Sequence, residues 1–284
     1  MAVYADLHMH TSYSDGLDSP VSLLARVKAK GVSVASITDH DTTKGYVEAR
    51  KAAEEMGIEL VTGIEVSSYY KEGAVHMLGY FLDEASVAAQ KLVDSNNSGR
   101  VERMEKILWR LDRLGYKVDM EQLLLFTGEG TLGRVALARY MVKLGYFRIT
   151  EDAFYTLLGD GKPAYEAVDR LTPQEAIELI HQAGGVSSLA HPGRNLNEKD
   201  VEAFEEAGLD AVEAYNPYHK ANDTAKWLDI ASRRRLGITG GSDCHGPLWK
   251  NHDVGDAGLD IALMEELRTR ANTPACGKTG VGGN

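Results

Sequence analysis

The chain of 284 residues holds only two cysteines, Cys244 and Cys276. Two are too few for a disulfide framework and fit a reducing compartment. No apolar run approaches the roughly 18 residues that a bilayer-spanning helix requires. The N-terminus lacks a basic segment leading into an apolar one, so no leader peptide is predicted and a cytoplasmic location without a membrane partner is expected. Positive charge is in deficit: 31 Lys and Arg face 42 Asp and Glu, for a net charge of −11. That balance excludes broad electrostatic binding to duplex DNA, though not to a small phosphorylated ligand. No internal repeat on the scale of roughly 20–50 residues is visible. Gly277-Lys278-Thr279 is a poor P-loop match, because Asn272 stands where the motif wants glycine and no strand precedes it.

What is present is an alternation of strand and helix patterns. Strand-like segments are predicted at Val3–Leu7, Val32–Thr38, Ile58–Ile64 and Ala74–Leu82, then at Val186–Ala190, Leu209–Ala214 and Gly237–Gly241. Helices with start and stop signals fall between them. Ser19-Pro20 opens one that Gly31 closes, Thr43–Met56 is followed by Gly57, and Thr172-Pro173-Gln174-Glu175 reads as a capping box. The alternation breaks once, from Glu84 to about Asp160, where the pattern is helical throughout and Ser95–Gly99 marks a break. The expected organisation is an α/β barrel built from 1–83 and 161–272, a helical insertion over 84–160, and a disordered Gly-rich tail over 273–284. About seven βα units imply a parallel sheet.

Six of the nine histidines, with three carboxylates, fall along these segments: His8, His10, Asp15, His40, Glu65, His76, His191, Asp243 and His245. Most are predicted at or just past strand C-termini, which converge on one face of a barrel but would be strung along the edge of an open sheet. His8-x-His10 and Asp243-x-His245 each place two side chains on the same face of an extended segment. Cys244 then points the other way, as a small packed residue. Imidazoles and carboxylates without thiolates suit Mn, Fe or Zn. Nine ligands are too many for one ion and suit two to three divalent ions if a carboxylate such as Glu65 bridges.

Several stretches resemble motifs of the PHP (polymerase and histidinol phosphatase) family. They are Asp6-Leu7-His8-Met9-His10-Thr11 with Ser14-Asp15-Gly16, Thr38-Asp39-His40-Asp41, Gly63-Ile64-Glu65, His76-Met77-Leu78-Gly79, Ala190-His191-Pro192 and Ser242-Asp243-Cys244-His245. The resemblance spans nearly the whole chain outside the tail. It implies a distorted (β/α)7 barrel with one metal on His8, His10, Glu65 and Asp243, a second on Glu65, His76 and His191, and a third on Asp15, His40 and His245. The helical insertion points to the subgroup of 3′,5′-nucleotide bisphosphate phosphatases and 5′→3′ exoribonucleases. In that subgroup the position of Arg134 binds phosphate, whereas Ala136 departs from relatives that carry histidine there.

The expected chemistry is phosphate ester hydrolysis by metal-bound hydroxide, with the ions offsetting charge on the phosphate. Arg194, three residues past His191, is the second candidate phosphate ligand, and His219 a candidate proton source for the leaving group. The expected substrate is a nucleoside 3′,5′-bisphosphate or the 5′ end of a short single-stranded RNA. Alternatives are a histidinol-phosphate-type phosphatase, C–N hydrolysis as in amidohydrolase barrels, and a non-catalytic scaffold, the last opposed by the complete ligand set.

Overall fold

The computed structural model describes residues 3–71, 73–167, 171–247 and 252–272. The tail and Gly277–Thr279 therefore lie outside the described residues. Seven strands lie side by side in sequence order: β1 (Ala5–Asp6), β2 (Val34–Ile37), β3 (Glu59–Tyr70), β4 (Gly73–Tyr80), β5 (Val186–Leu189), β6 (Ala211–Tyr215) and β7 (Gly237–Gly240). The first and last approach each other through three backbone hydrogen bonds. Leu7 N donates to Gly240 O at 3.2 Å, Asp243 N to His8 O at 2.8 Å, and His10 N to Cys244 O at 2.9 Å. The sheet is thereby nearly closed into a barrel, as the positions of the candidate ligands require.

One feature differs from the predicted parallel sheet. β4 runs antiparallel to both β3 and β5, while the other adjacent pairs are parallel. Only two residues separate β3 from β4, too few for the crossover that a parallel pair needs. β3 also continues to Tyr70, so Glu65 sits within the strand and not at its end.

The helices follow the sequence signals closely. α1 (Pro20–Ala29) is capped by Ser19, whose hydroxyl accepts from Ser22 N. α2 (Lys44–Met56) ends at Gly57 in the left-handed conformation, φ 69°. Behind the barrel come α3 (Val87–Asn97), then, after the insertion, α8 (Pro173–Gln182), α9 (Glu198–Glu205), α10 (Ala221–Arg234) and α11 (Ile261–Asn272). α8 has the expected box, in which Thr172 and Glu175 cap each other's backbone. Met9, Cys244 and Ile37 pack with Leu23, Leu24 and Ala49 of α1 and α2. On the other side Met77, Leu189 and Val212 pack against Ile180, Phe204 and Trp227.

The inserted helices are α4 (Arg100–Arg113), α5 (Met120–Thr127), α6 (Arg134–Lys143) and α7 (Thr150–Ala153), the last continuing into a π turn over Phe154–Leu158. They bury their own core of Met104, Ile107, Leu111, Leu123, Leu137, Met141 and Leu158. α3 lies within the predicted insertion, but Ala89 and Leu92 are packed into the barrel core with Ile177 and Ile180. The break at Ser95–Gly99 is therefore where one core gives way to the other. Gly99, at φ 74°, makes the turn. No helix among the described residues is long and apolar enough to cross a membrane.

Barrel closure leaves no room at Gly241, where an added Cβ would lie 2.3 Å from His8 N and 2.4 Å from His8 Cβ. Gly241→Ala must push β1 and β7 apart. It is expected to cost about 1–3 kcal/mol by overpacking, read as a lowered midpoint in urea unfolding. An unchanged midpoint would show that this seam is loosely held.

Candidate metal centre

The closed seam brings His8 and His10 against Asp243 and His245, and the β3–β4 hairpin adds two more groups. Glu65 and Ser67 are two apart on β3 and share a face, and Ser67 is paired with His76. His76 thereby stands diagonally across from Glu65, with Nδ1 2.8 Å from Oε1. His191 Nε2 lies 3.0 Å from the same oxygen. Around Oε2 stand His8 Nε2 at 3.2 Å, His10 Nε2 at 3.1 Å and His40 Nδ1 at 3.2 Å. Asp243 Oδ1 closes the same space, 3.1 Å from His10 Nε2. Asp15 completes the cluster, with Oδ1 3.2 Å from His245 Nε2 and Oδ2 3.9 Å from His40 Nε2.

All nine predicted ligands converge. Ligand atoms within 4.8 Å of one another form four overlapping groups: His10, Asp15, His40 and His245; His8, His10 and Asp243; His8, Glu65 and His191; and His40, Glu65 and His76. His76 Nδ1 and His191 Nε2 fall in different groups but both face Glu65 Oε1.

Metal ions fit this donor set for a reason visible in its hydrogen bonds. His8 Nε2, His10 Nε2, His40 Nδ1 and Glu65 Oε2 are buried and make no hydrogen bond. One such orphan costs about 1–3 kcal/mol, and here four face a common point. Protons cannot serve all of them, since several imidazolium charges would be crowded together. The opposing pKa shifts within the cluster reflect this conflict. Burial opposes charge on His10, but Asp243 and Glu65 outweigh it and lift the pKa to about 10. Burial drives neighbouring His40 down to about 4 despite Glu65 and Asp15. Glu65 is itself pushed up by burial, yet His40, His8 and His76 hold it well below the usual carboxylate range.

Further residues orient the ligands. Glu213, fully buried on β6, accepts from His8 Nδ1 at 2.9 Å and from His191 N at 2.7 Å. It leaves His8 Nε2 to face the centre, the usual task of a carboxylate behind a ligating histidine. Asp39 accepts from Thr11 N at 2.7 Å and Ser14 Oγ at 2.6 Å, fixing the loop that carries Asp15. Asp41 accepts from Ser67 N and Asn96 Nδ2, both at 2.8 Å, and pairs with Arg100, tying the His40 turn to α3 and α4. Sequence reading missed all three supports. Glu213 had a signal, as a lone carboxylate inside the apolar run Ala211-Val212-Glu213-Ala214. His191 at φ 24°, Asp41 at 56° and Asp243 at 51° hold left-handed conformations uncommon outside glycine.

The three candidates outside the cluster fare differently. Arg134 lines a cavity of about 260 Å³ together with Asp15, His40, His76, Arg100 and Arg103. Arg194 does not line it. Its side chain is 65% exposed and its Nε donates to Asp223 Oδ1 at 3.0 Å, because the loop after His191 turns it toward α10. His219 is also not poised as a proton donor. Its Nε2 accepts from Gly193 N at 3.0 Å and its Nδ1 is 3.0 Å from Ala214 O, so both ring nitrogens are used in pinning the loop.

Comparison with known proteins agrees with this geometry. The PHP domain model matches residues 6–124. A phosphoribosyl 1,2-cyclic phosphate 1,2-diphosphodiesterase from Eggerthella lenta is 34% identical over 88% of this chain and 97% of its own. The chain belongs to the PHP family. A 5′-3′ exoribonuclease from Haemophilus influenzae is 33% identical, covering 90% and 97% of the two chains. A 3′,5′-nucleoside bisphosphate phosphatase from Chromobacterium violaceum is 31% identical over 92% of each. A protein from Bifidobacterium adolescentis, assigned as a metal-dependent phosphoesterase, superposes with TM-score 0.86 at 29% identity, covering 94% and 96% of the two chains. This PHP protein is an enzyme, a metal-dependent phosphoric ester hydrolase.

Because His8 and His10 are lifted above their ordinary pKa, a cation must displace their protons to bind. Metal affinity is therefore expected to rise between pH 6 and 8 by about tenfold per unit for each proton released. Competition with a chromophoric chelator measures it, and an affinity flat with pH contradicts the assignment of these two histidines as ligands.

Proposed function

We propose that this PHP enzyme hydrolyses the 3′-phosphate ester of nucleoside 3′,5′-bisphosphates, and the equivalent bond at the 5′ end of short single-stranded RNA. The observation that carries the reading is the cavity between cluster and insertion. It begins at Asp15, His40 and His76 and reaches Arg100, Arg103 and Arg134. Three guanidinium groups beside a phosphoesterase centre suit a second phosphate. Two of the relatives, by their names, act on a ribose that carries phosphate at two places.

Arg134 is held for this task. Its Nη1 donates to Leu158 O at 2.9 Å and to Asp160 Oδ1 at 2.6 Å, and Phe154 and Tyr165 flank it, with ring centroids 5.9 Å and 5.1 Å away. Pinned through one nitrogen, the guanidinium is held at a fixed place on the cavity wall. Arg100 is anchored by Asp41 and Arg103 by Glu166 O, so each places its charge without searching many rotamers. His8, His10, Asp15, His40, Glu65, His76, His191, Asp243 and His245 would hold two to three divalent ions, with Mn, Fe and Zn all compatible with these ligands. Such ions supply Lewis acidity toward the phosphate and acidify water toward neutrality. The protein's own part is to orient the ester and to hold the remote phosphate. Val135, Ala136 and Phe154 give the cavity an apolar wall beside the arginines, suited to a sugar or base.

Phosphate release by the metal-loaded enzyme tests this reading, using adenosine 3′,5′-bisphosphate against histidinol phosphate and a simple aryl phosphate. Arg134→Ala is expected to raise KM on the bisphosphate by about 10–100-fold, the worth of a charge-assisted hydrogen bond, and far less on the aryl phosphate. Equal effects on both would remove the second-phosphate role. Arg194→Ala, at an exposed pair, is expected to change KM by no more than about twofold.

A further inference from the structure

A second cavity opens on the other side of His76. It holds about 390 Å³, and its wall includes His76, His191, Tyr70, Lys71, Asn195 and Asp200. The two cavities share Ala74 and His76, so they meet at the cluster, but their chemistry differs. The first is lined by arginines. In the second, Lys71 is paired with the buried Asp200 carboxylate, as Arg100 is with Asp41 and Arg134 with Asp160 in the first, but among its described lining residues no guanidinium stands beside it. Lys71 also stands 5.0 Å from the centroid of the Tyr70 ring, and that ring packs edge-on against Phe204 at 4.9 Å. Asn195 is exposed and makes no hydrogen bond among the described residues. Its amide offers both donors and an acceptor. A charge-cancelled wall with an open amide suits a sugar and base better than a phosphate.

A phosphate ester at the cluster has two sides. In a nucleoside 3′,5′-bisphosphate the scissile phosphate carries nothing beyond itself, and the arginine cavity would suffice. In a 5′-phosphorylated oligonucleotide the same phosphate also carries the 5′ oxygen of the next nucleotide, which needs a place of its own. We propose that the groove beside His191 is the subsite for that downstream nucleoside. The inference rests on the nucleotide reading above and adds a determinant of substrate length to it. The reaction is the same in both substrates. Water oxygen bonds to phosphorus, the P–O3′ bond breaks, and a water proton ends on the 3′ oxygen. The phosphate then leaves free from the bisphosphate, or remains on the 5′ oxygen of the shortened oligonucleotide.

Steady-state kinetics of the full-length, metal-loaded enzyme on adenosine 3′,5′-bisphosphate and on 5′-phosphorylated diadenylate test the subsite. Asn195→Trp should obstruct the groove and Asn195→Ala should remove its amide; both alter an exposed loop position. The KM ratio of dinucleotide to bisphosphate is expected to rise by about tenfold in Asn195→Trp, comparable to losing one base contact, and by a smaller factor in Asn195→Ala. A ratio within about twofold of wild type in both variants, with the bisphosphate still hydrolysed, overturns the subsite and leaves the nucleotide reading standing. Failure of the wild-type enzyme on both substrates overturns both.

Discussion

Five imidazole nitrogens stand about 3 Å from the two carboxylate oxygens of Glu65, and the rest of the site is arranged around that contact. A single carboxylate cannot accept from five donors, and five imidazolium ions cannot share one buried space. Divalent ions resolve both conflicts, because each accepts electron pairs from several imidazoles and balances the charge of Glu65, Asp15 and Asp243. The opposite displacements of His10 and His40 are the sign of a cluster that protons alone cannot satisfy.

Holding such a cluster requires a rigid surround. Buried acids brace the ligand-bearing loops from behind. Asp6 accepts from Ser242 N and Gly255 N, Asp39 from the Thr11 and Ser14 turn, and Glu213 from His8 and His191. Asp41 extends the bracing outward to Arg100, so the turn that presents His40 is mechanically continuous with the insertion that carries the arginines. The left-handed backbone at His191, Asp41 and Asp243 is kept by these hydrogen bonds and by the packed cores on either side. The metal-ligand cluster and the arginine-lined cavity are in this way one structure, although they come from separate hydrophobic cores.

Much of this was legible in the sequence. The caps at Ser19 and Thr172, the glycine stops and the strand-end histidines are local signals, and the barrel was inferable from the convergence that nine scattered candidate ligands require. The reversal of β4 was harder to read, since alternating hydrophobicity does not encode strand direction. The two-residue connection between Tyr70 and Gly73 was the available clue. Arg194 and His219 show a different limit. Arg194 lies three residues past His191 and His219 follows β6, but side-chain direction depends on contacts with Asp223, Gly193 and Ala214 that arise only after folding. Arg100 and Glu213 were missed for the converse reason, being remote in sequence from the residues they support.

The central claim is that Glu65 is the shared anchor of a multinuclear metal centre. Metal content per chain, determined by elemental analysis of the purified wild-type protein and of Glu65→Ala, tests it most directly. The account predicts two to three divalent ions per wild-type chain and the loss of at least one from the variant, with its fold retained by circular dichroism. Full metal content in a folded Glu65→Ala protein would contradict it.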